Sequence, residues 1–413
     1  MTIGLTGGAP ARTSIDVAAE RARTAGTAGR HYFNAAGAGL MSDSVLETVI
    51  AHLRLEQRVG GYEAANLVVD RVDAAYAAAA ALLRADADEI AFFDSATTGL
   101  RAVFDALRLG PGDTVLAPRS SYVSQALRLL ALERYDGVRL TLLPNDSSGG
   151  LDVEALESAL ATASGRTVIS AVHVPTSSGL VEPVAAIGAL ARRYGAITVL
   201  DATQSVGQLD IDVRAIGCDA LVTTGRKFLR GPRGTGLVFL RRGLLDGLGA
   251  WAPDVRGSQW TSEQEWTMDG TARALETWES SVALRLGLGE ALREALERGT
   301  AATEAHLVAL GARLRTRLSA IGGVTVADPP ASPSGIVTFV LDGVPGKAVS
   351  ARLREAGVDS LAVPASHAQW DLGARGLASV VRVSPHVYTD ESDVEALLAA
   401  VAGVAGVVPG ADS

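Results

Sequence analysis

Residues 200–240 read LDATQSVGQLDIDVRAIGCDALVTTGRKFLRGPRGTGLVFL. An apolar run closes on a carboxylate, Asp201, and a second run, ALVTTG (220–225), closes on the basic pair Arg226-Lys227. A glycine-rich turn then leads into a third run, GLVFLR (236–241). Runs that are apolar on both faces are covered by helices on two sides, which predicts a mostly parallel sheet in a three-layer α/β domain. The same alternation extends upstream through EIAFF (89–93), TVLAP (114–118), VRLTLLP (138–144), TVISAVHV (167–174) and ITVLDAT (197–203), so seven strands are expected. Ligands of such sheets bind beyond the carboxyl ends of the strands, which directs attention to the polar residues that close each run.

The flanks are helical. Ser42 to Leu83 reads as a helix broken at Gly60-Gly61, and Ala283 to Leu318 as one long Ala/Leu/Arg helix. GIVTFVL (335–341) and SVVRVSP (379–385) read as strands, with helices at KAVSARLREAG and SDVEALLAAVAG, and together they form a small α/β unit with an antiparallel sheet. The expected division is a loosely ordered leader (1–30), a large cofactor-binding domain (31–285, with an access segment at 31–42) and a small C-terminal domain (286–413).

The composition excludes several functions. With 48% apolar and 20% charged residues in 413, the chain is a packed protein and not a disordered one. Its longest stretch without Asp, Glu, Lys or Arg, 396–411, falls short of the roughly 20 apolar residues of a membrane span. Met1 to Arg12 lacks the pattern of a secretory signal, so a cytoplasmic protein is expected. Basic residues are scattered and the net charge is −9, which disfavours nucleic acid as a partner. One cysteine, Cys218, allows neither an intramolecular disulfide nor a Cys-built metal site, and six dispersed histidines form no zinc pattern. The chemistry is therefore expected to come from an organic cofactor.

Lys227 follows Asp201 by 26 residues, about one βαβ unit, and precedes a glycine-rich loop. This is the pattern of a pyridoxal phosphate (PLP) site, in which the carboxylate keeps the pyridine nitrogen protonated and the lysine bonds covalently to the cofactor. SATTGLRAV (95–103) has the order of a phosphate-binding helix start, where free N–H groups and the positive dipole end meet an anion, and it places Ser95, Ala96 and Thr97 at the phosphate. Thr97 read alone is an ordinary helix N-cap.

On these residues the chain resembles the fold-type I PLP enzymes of the class V aminotransferase and cysteine desulfurase group, over nearly its whole length. The resemblance implies the three-layer PLP-dependent transferase fold. It implies that Asp201 contacts the pyridine nitrogen, that Ala202 or Thr203 packs beneath the ring, and that Gln204 reaches the phenolic oxygen. The group's Ser-x-His-Lys stands here as Thr224-Gly225-Arg226-Lys227, so Arg226 keeps a cation near the phosphate. Tyr122 takes the place of a ring over the cofactor, Thr176 or Ser177 is expected at the phenolic oxygen, and His173 is either a contact or a core residue. VVRVSPHVYTDESDVEAL (380–397) is similar to the segment whose arginine grips the substrate α-carboxylate; this makes Arg382 the carboxylate clamp, with Arg233 or Arg375 next in line. HYFNAAGAG (31–39) places Asn34 and Ala36 near the substrate, and VGGYEAA (59–65) does the same for Tyr62.

Sharing PLP does not fix the reaction. A cysteine desulfurase needs a mobile thiol, yet Cys218 lies at a helix-to-strand junction and the candidate loop 360–372, SLAVPASHAQWDL, holds none. The sequence therefore points to a carbon-sulfur β-lyase acting on an S-substituted cysteine or its sulfoxide, similar to the hercynylcysteine sulfoxide lyases and to enzymes of sulfur-containing antibiotic assembly. The rival readings are an aminotransferase or epimerase, a decarboxylating oxidative deaminase, and a PLP-fold protein that binds without turnover. A homodimer is expected, with 257–278 and its Trp260, Trp266 and Trp278 as the wall supplied by the partner.

Overall fold

The structure is a computed structural model, and it describes residues 14–248, 253–329 and 332–406. All seven expected strands form one sheet: β1 (Ile90–Phe93), β2 (Thr114–Ala117), β3 (Arg139–Leu142), β4 (Thr167–Val172), β5 (Ile197–Asp201), β6 (Ala220–Thr224) and β7 (Gly236–Leu240). Their order is β1-β7-β6-β5-β4-β2-β3, and only β7 runs antiparallel to its neighbours. Alternate residues enter opposite layers. Leu116, Ile169, Leu200, Leu221 and Leu237 join one core, while Val115, Val168, Val199, Ala220 and Val238 join the other. This two-sided burial is why the strands lack polar alternation.

A second sheet of four antiparallel strands, β8 (Val324–Val326), β9 (Val337–Leu341), β10 (Leu361–Pro364) and β11 (Ser379–Val383), has the order β8-β9-β11-β10. Two of these strands were legible; β8 and β10 are short and were missed. A third core, containing Phe33, Phe339, Val381 and Leu397, fills the space behind it.

Four expectations need correction. The helical region 42–83 breaks twice. Ser42 caps α1 (Asp43–Val59), Gly60 at φ 94° ends it, and the short helix Gly61–Asn66 stops at 67–68 before α2 (Val69–Leu83). The long helix is in fact two, α3 (Val282–Arg298) and α4 (Thr300–Ser319), split at Gly299 with φ 87°. Leu288, Leu292 and Ala295 of α3 sit in the large core, so residues 286–298 pack with the large sheet and not with the small domain. The leader is ordered from residue 14: Asp16 caps a helix, Val17–Ala22, whose Glu20 is buried. Residues 1–13 of that expected leader lie outside the described residues. His31 and Tyr32 pair in parallel with Val358 and Asp359, so the access segment is stitched to the small sheet's side of the molecule. Among the described residues, no helix is long and apolar enough to cross a membrane.

Candidate active site

Asp201 ends β5 in register with Val172 of β4 and Val222 of β6, so its side chain emerges at the carboxyl edge of the large sheet. One of its oxygens accepts a hydrogen bond from the Thr203 N–H at 2.9 Å. Three residues after β6, Lys227 lies in the same cleft and is buried. Its Nζ is 6.0 Å from the centroid of the Tyr122 ring. Burial first, then the charges of Arg382 and Arg226, hold its ammonium well below the ordinary lysine value against the opposing pull of Asp201. A lysine so placed holds its proton weakly, which favours the free amine that attacks a carbonyl.

The lysine loop is built tightly. The N–H of Gly39 donates to Arg226 O at 2.7 Å, and a Cβ on Gly39 would stand 2.4 Å from Lys227 O, so only glycine allows the access segment to pass this close. The N–H of Gly231 donates to Gly225 O at 2.7 Å and closes the loop on itself.

At the other end of the cleft a helix, Ala96–Leu107, points its N-terminus inward. Ser95 is its N-cap and accepts from Thr98 N at 3.2 Å, so the capping role falls to Ser95 and leaves Thr97 in the first turn facing the cleft. Gly236 of β7 permits this approach, since a Cβ there would lie 2.7 Å from the Ser95 carbonyl carbon. First-turn N–H groups have no intrahelical acceptor. Arg226 and Arg233 complete this wall, and neither forms an ion pair among the described residues. Burial and the neighbouring Arg233 both depress Arg226, which marks a pair of cations awaiting an anion.

Arg382, on β11, is 2% exposed and donates through Nη1 to the Thr176 hydroxyl at 2.5 Å. Its Nε has no partner and no carboxylate pairs with it among the described residues, so its charge is not neutralised by a neighbouring acid. Burial pushes it down to about 10. Thr176 also faces Gln204, whose amide donates to the carbonyl of Ala36 at 3.1 Å and whose Oε1 is left without a partner, as is the Thr203 hydroxyl.

The residues present fit PLP. A free helix start with two arginines lacking ion-pair partners among the described residues suits the phosphate, Asp201 suits the pyridine nitrogen, and a buried lysine that holds its proton weakly suits the aldehyde. Orphaned polar atoms on Thr203 and Gln204 suit the ring's polar edge.

The structure brings together Ser95, Ala96, Thr97, Tyr122, Thr176, Asp201, Thr203, Gln204, Thr224, Arg226 and Lys227. Thr224 spends its proton on Thr235 O at 2.9 Å. Ala36 reaches the site through Gln204, and Asn34 sits behind it, bridged to Ser384 with its Oδ1 unpartnered. Tyr62 is not brought in: it is 72% exposed and lines a separate depression with Val69, Arg256, Arg273 and Trp278, because the break at Gly60 turns its helix outward. Ser177 is also withdrawn, since it donates to Asp371 at 2.6 Å. Arg375 is engaged by Asp371 and by Ala327 O, which removes it as a spare carboxylate holder. His173 is buried beside the site, its ring lowered to about 4 by burial, so the core reading holds. Asp94 and Gln125, both in the lining, were missed. Arg233 entered the sequence reading only as a fallback for the substrate carboxylate, although its place in GPRGTG, next to the phosphate wall, was a readable signal for the anion.

Cys218 lies two residues before β6, at the opposite end of that strand from Lys227. It is 1% exposed, its thiol is raised to about 12 by burial with Asp219 adding to the effect, and it borders a different depression with Arg192 and Arg241.

The family model for aminotransferase class-V matches residues 31–397. The probable hercynylcysteine sulfoxide lyase of Mycobacterium tuberculosis (strain CDC 1551 / Oshkosh) is 32% identical over 396 residues, covering 94% of each chain. A probable cysteine desulfurase of Methanothermobacter thermautotrophicus is 27% identical over 360 residues, covering 84% of this chain and 87% of the relative. Among solved structures, the apo cysteine desulfurase of Thermococcus onnurineus NA1 superposes with a TM-score of 0.87 at 21% identity, over 96% of this chain and 99% of that one.

Proposed function

Since the chain belongs to the class V aminotransferase family, whose enzymes use PLP, we propose that it is a carbon-sulfur β-lyase acting on an S-substituted cysteine or its sulfoxide. The family covers both cysteine desulfurases and lyases. One observation favours the lyase: the only cysteine in the chain is buried, held as a thiol, and outside the cleft. A desulfurase must pass the substrate sulfur to a reachable thiolate. A lyase needs none.

When bound, PLP draws electrons away from the α-carbon of an attached amino acid, which makes bonds at Cα and Cβ breakable. Asp201 keeps the pyridine nitrogen protonated, and Arg226, Arg233 and the helix start at Ala96 hold the phosphate. Lys227 would hold the aldehyde carbon and, once its amine is free, would be placed to take the Cα proton. Arg382 would offer a planar fork to the α-carboxylate and so orient the substrate at Cα. The Cβ–S bond then breaks with its electron pair going to sulfur. Overall, RSCH2CH(NH3+)COO− and water give RSH, pyruvate and ammonium; a sulfoxide gives the sulfenic acid in place of the thiol. The class of substrate, a cysteine conjugate from sulfur-containing natural-product assembly, follows the lyase relative.

The assembly we propose is a homodimer. Trp260, Trp266 and Trp278 are 78%, 43% and 51% exposed while Ala272, Ala274 and Leu275 of the same segment are buried, so 257–278 is anchored in this subunit and turns its tryptophans outward, where aromatics suit a partner surface.

The deciding experiment incubates the holoenzyme with S-alkyl cysteines and their sulfoxides and measures pyruvate, alanine, other keto acids and carbon dioxide. Stoichiometric pyruvate and thiol, undiminished in Cys218→Ala, is expected. Alanine with sulfur bound to Cys218 would establish a desulfurase, keto acid dependent on an amine acceptor an aminotransferase, and carbon dioxide a decarboxylating deaminase.

A further inference from the structure

Three residues beyond Lys227, Arg230 is fully buried and holds a left-handed backbone, φ 63°, without being glycine. Such a conformation persists only where the surroundings over-determine it. Here they do. The guanidinium donates from Nε to Leu40 O at 2.8 Å, from Nη1 to Glu20 Oε2 at 2.7 Å, and from Nη2 to the Thr24 hydroxyl, and it lies 5.2 Å from the centroid of the Tyr388 ring. Its backbone N–H donates to Lys227 O at 2.9 Å and closes the turn that carries the lysine.

Glu20 is the only carboxylate on this guanidinium among the described residues, and it is 2% exposed on the helix Val17–Ala22. That helix touches nothing in the cleft. Burial alone would raise the Glu20 carboxyl, but Arg298, Arg23 and Arg230 around it hold it below the ordinary value, so it stays charged. Nothing in the resemblance or the relatives assigns a task to this pair.

We infer that Glu20 is a positioning residue for Lys227, acting through Arg230 and the 227–230 turn. Neutralising Glu20 leaves a buried guanidinium without its anion. The guanidinium then shifts toward other acceptors, the strained backbone at residue 230 relaxes, and the turn bond to Lys227 O loosens. Nζ moves relative to Asp201 and Tyr122, although no residue lining the cleft has changed.

This inference rests on the reading that Lys227 binds the cofactor. The test compares full-length Glu20→Gln, Glu20→Asp and Arg230→Gly with wild type, with Lys227→Ala, and with Arg166→Ala, an arginine bonded to Asp113 and to two carbonyls away from the cleft. Each protein is stripped of cofactor, PLP is added, and the return of the visible band is timed; kcat and KM for an S-alkyl cysteine are then measured well below the melting range. Glu20→Gln and Arg230→Gly should slow the band and lower kcat on the order of 10-fold to 100-fold, the scale of a small misplacement of a reacting group, with KM nearly unchanged. Glu20→Asp should recover part of the loss. If Glu20→Gln does not fold, Arg230→Gly still carries the test, because its backbone suits glycine. Variants that melt earlier, as Arg166→Ala is expected to, but regain the band and turn over at the wild-type rate would make the pair purely structural. A band that survives in Lys227→Ala would overturn the cofactor reading itself.

Discussion

The two halves of the site are made differently. The cofactor floor, with Asp201, Thr203, Gln204, Thr224, Arg226 and Lys227, comes from 27 consecutive residues that span two neighbouring strands and their loops. The proposed carboxylate grip is assembled from afar: Arg382 stands on the small sheet, meets Thr176 from the loop after β4, and reaches Gln204 only through that threonine. A floor written in one segment is fixed as soon as β5 and β6 pair. A grip shared by two sheets depends on how those sheets meet.

Breaking the floor should have the largest effect. Lys227→Ala is expected to abolish both the visible band and turnover. Asp201→Ala should keep the band yet lose nearly all turnover, because a neutral pyridine is a poor sink for electrons; the two are separated by absorbance and a pyruvate assay. Near-normal rates in Asp201→Ala would move the nitrogen's partner elsewhere and end the idea of a self-contained floor.

Breaking the grip should cost less and show a different signature. Removing one member of a buried, charge-assisted pair costs about 2 to 5 kcal/mol, which is roughly 30-fold or more in KM for Arg382→Ala. Lysine keeps the charge but not the fork, so Arg382→Lys should recover only part. Loss of orientation at Cα should also raise the ratio of side products to pyruvate. An unchanged KM would make Arg382 structural and leave the carboxylate to another group of the cleft.

The smallest effect sharpens the comparison from behind the floor. His173 has its folded value lowered from 6.5 to about 4 by burial, so between those limits the unfolded chain binds the extra proton. Stability is therefore fully present above pH 6.5 and falls as pH drops toward 4, by at most about 1.4 kcal/mol per unit from this residue. Urea midpoints from pH 4 to 8 should show that slope, and His173→Gln should flatten it.

This asymmetry also governs what could be read from the sequence. The seven strands and the floor were legible because two-sided burial writes unbroken apolar runs, and because Asp201 and Lys227 close two of them. Tyr62 failed because only local similarity supported it, and the φ of Gly60, which sends its helix outward, leaves no mark in the residues that follow. The choice of Thr176 over Ser177 could not be made from the sequence, because the acceptor that withdraws Ser177, Asp371, lies 194 residues away. The long helix 283–318 hid its break because the apolar spacing continues through Gly299, and a single glycine in a helical pattern is ambiguous until φ is known. Arg382 was found from its motif, but its lack of a counter-ion is a fact of three dimensions.

The access segment joins residues that are far apart in the chain. His31 pairs with Val358, Phe33 and Ala35 exchange backbone hydrogen bonds with Asp359 and Ser384, and Gly39 closes on the lysine loop. Upstream of it, Arg21 binds Asp393. On the ribosome these residues emerge hundreds of positions before the partners that hold them. The large sheet can pair from β2 to β6 while synthesis continues, but the segment that packs against Lys227 must wait, exposed, until the small sheet has been made. Maturation of the site is thus tied to completion of the chain, and a polypeptide truncated anywhere before residue 384 cannot assemble it.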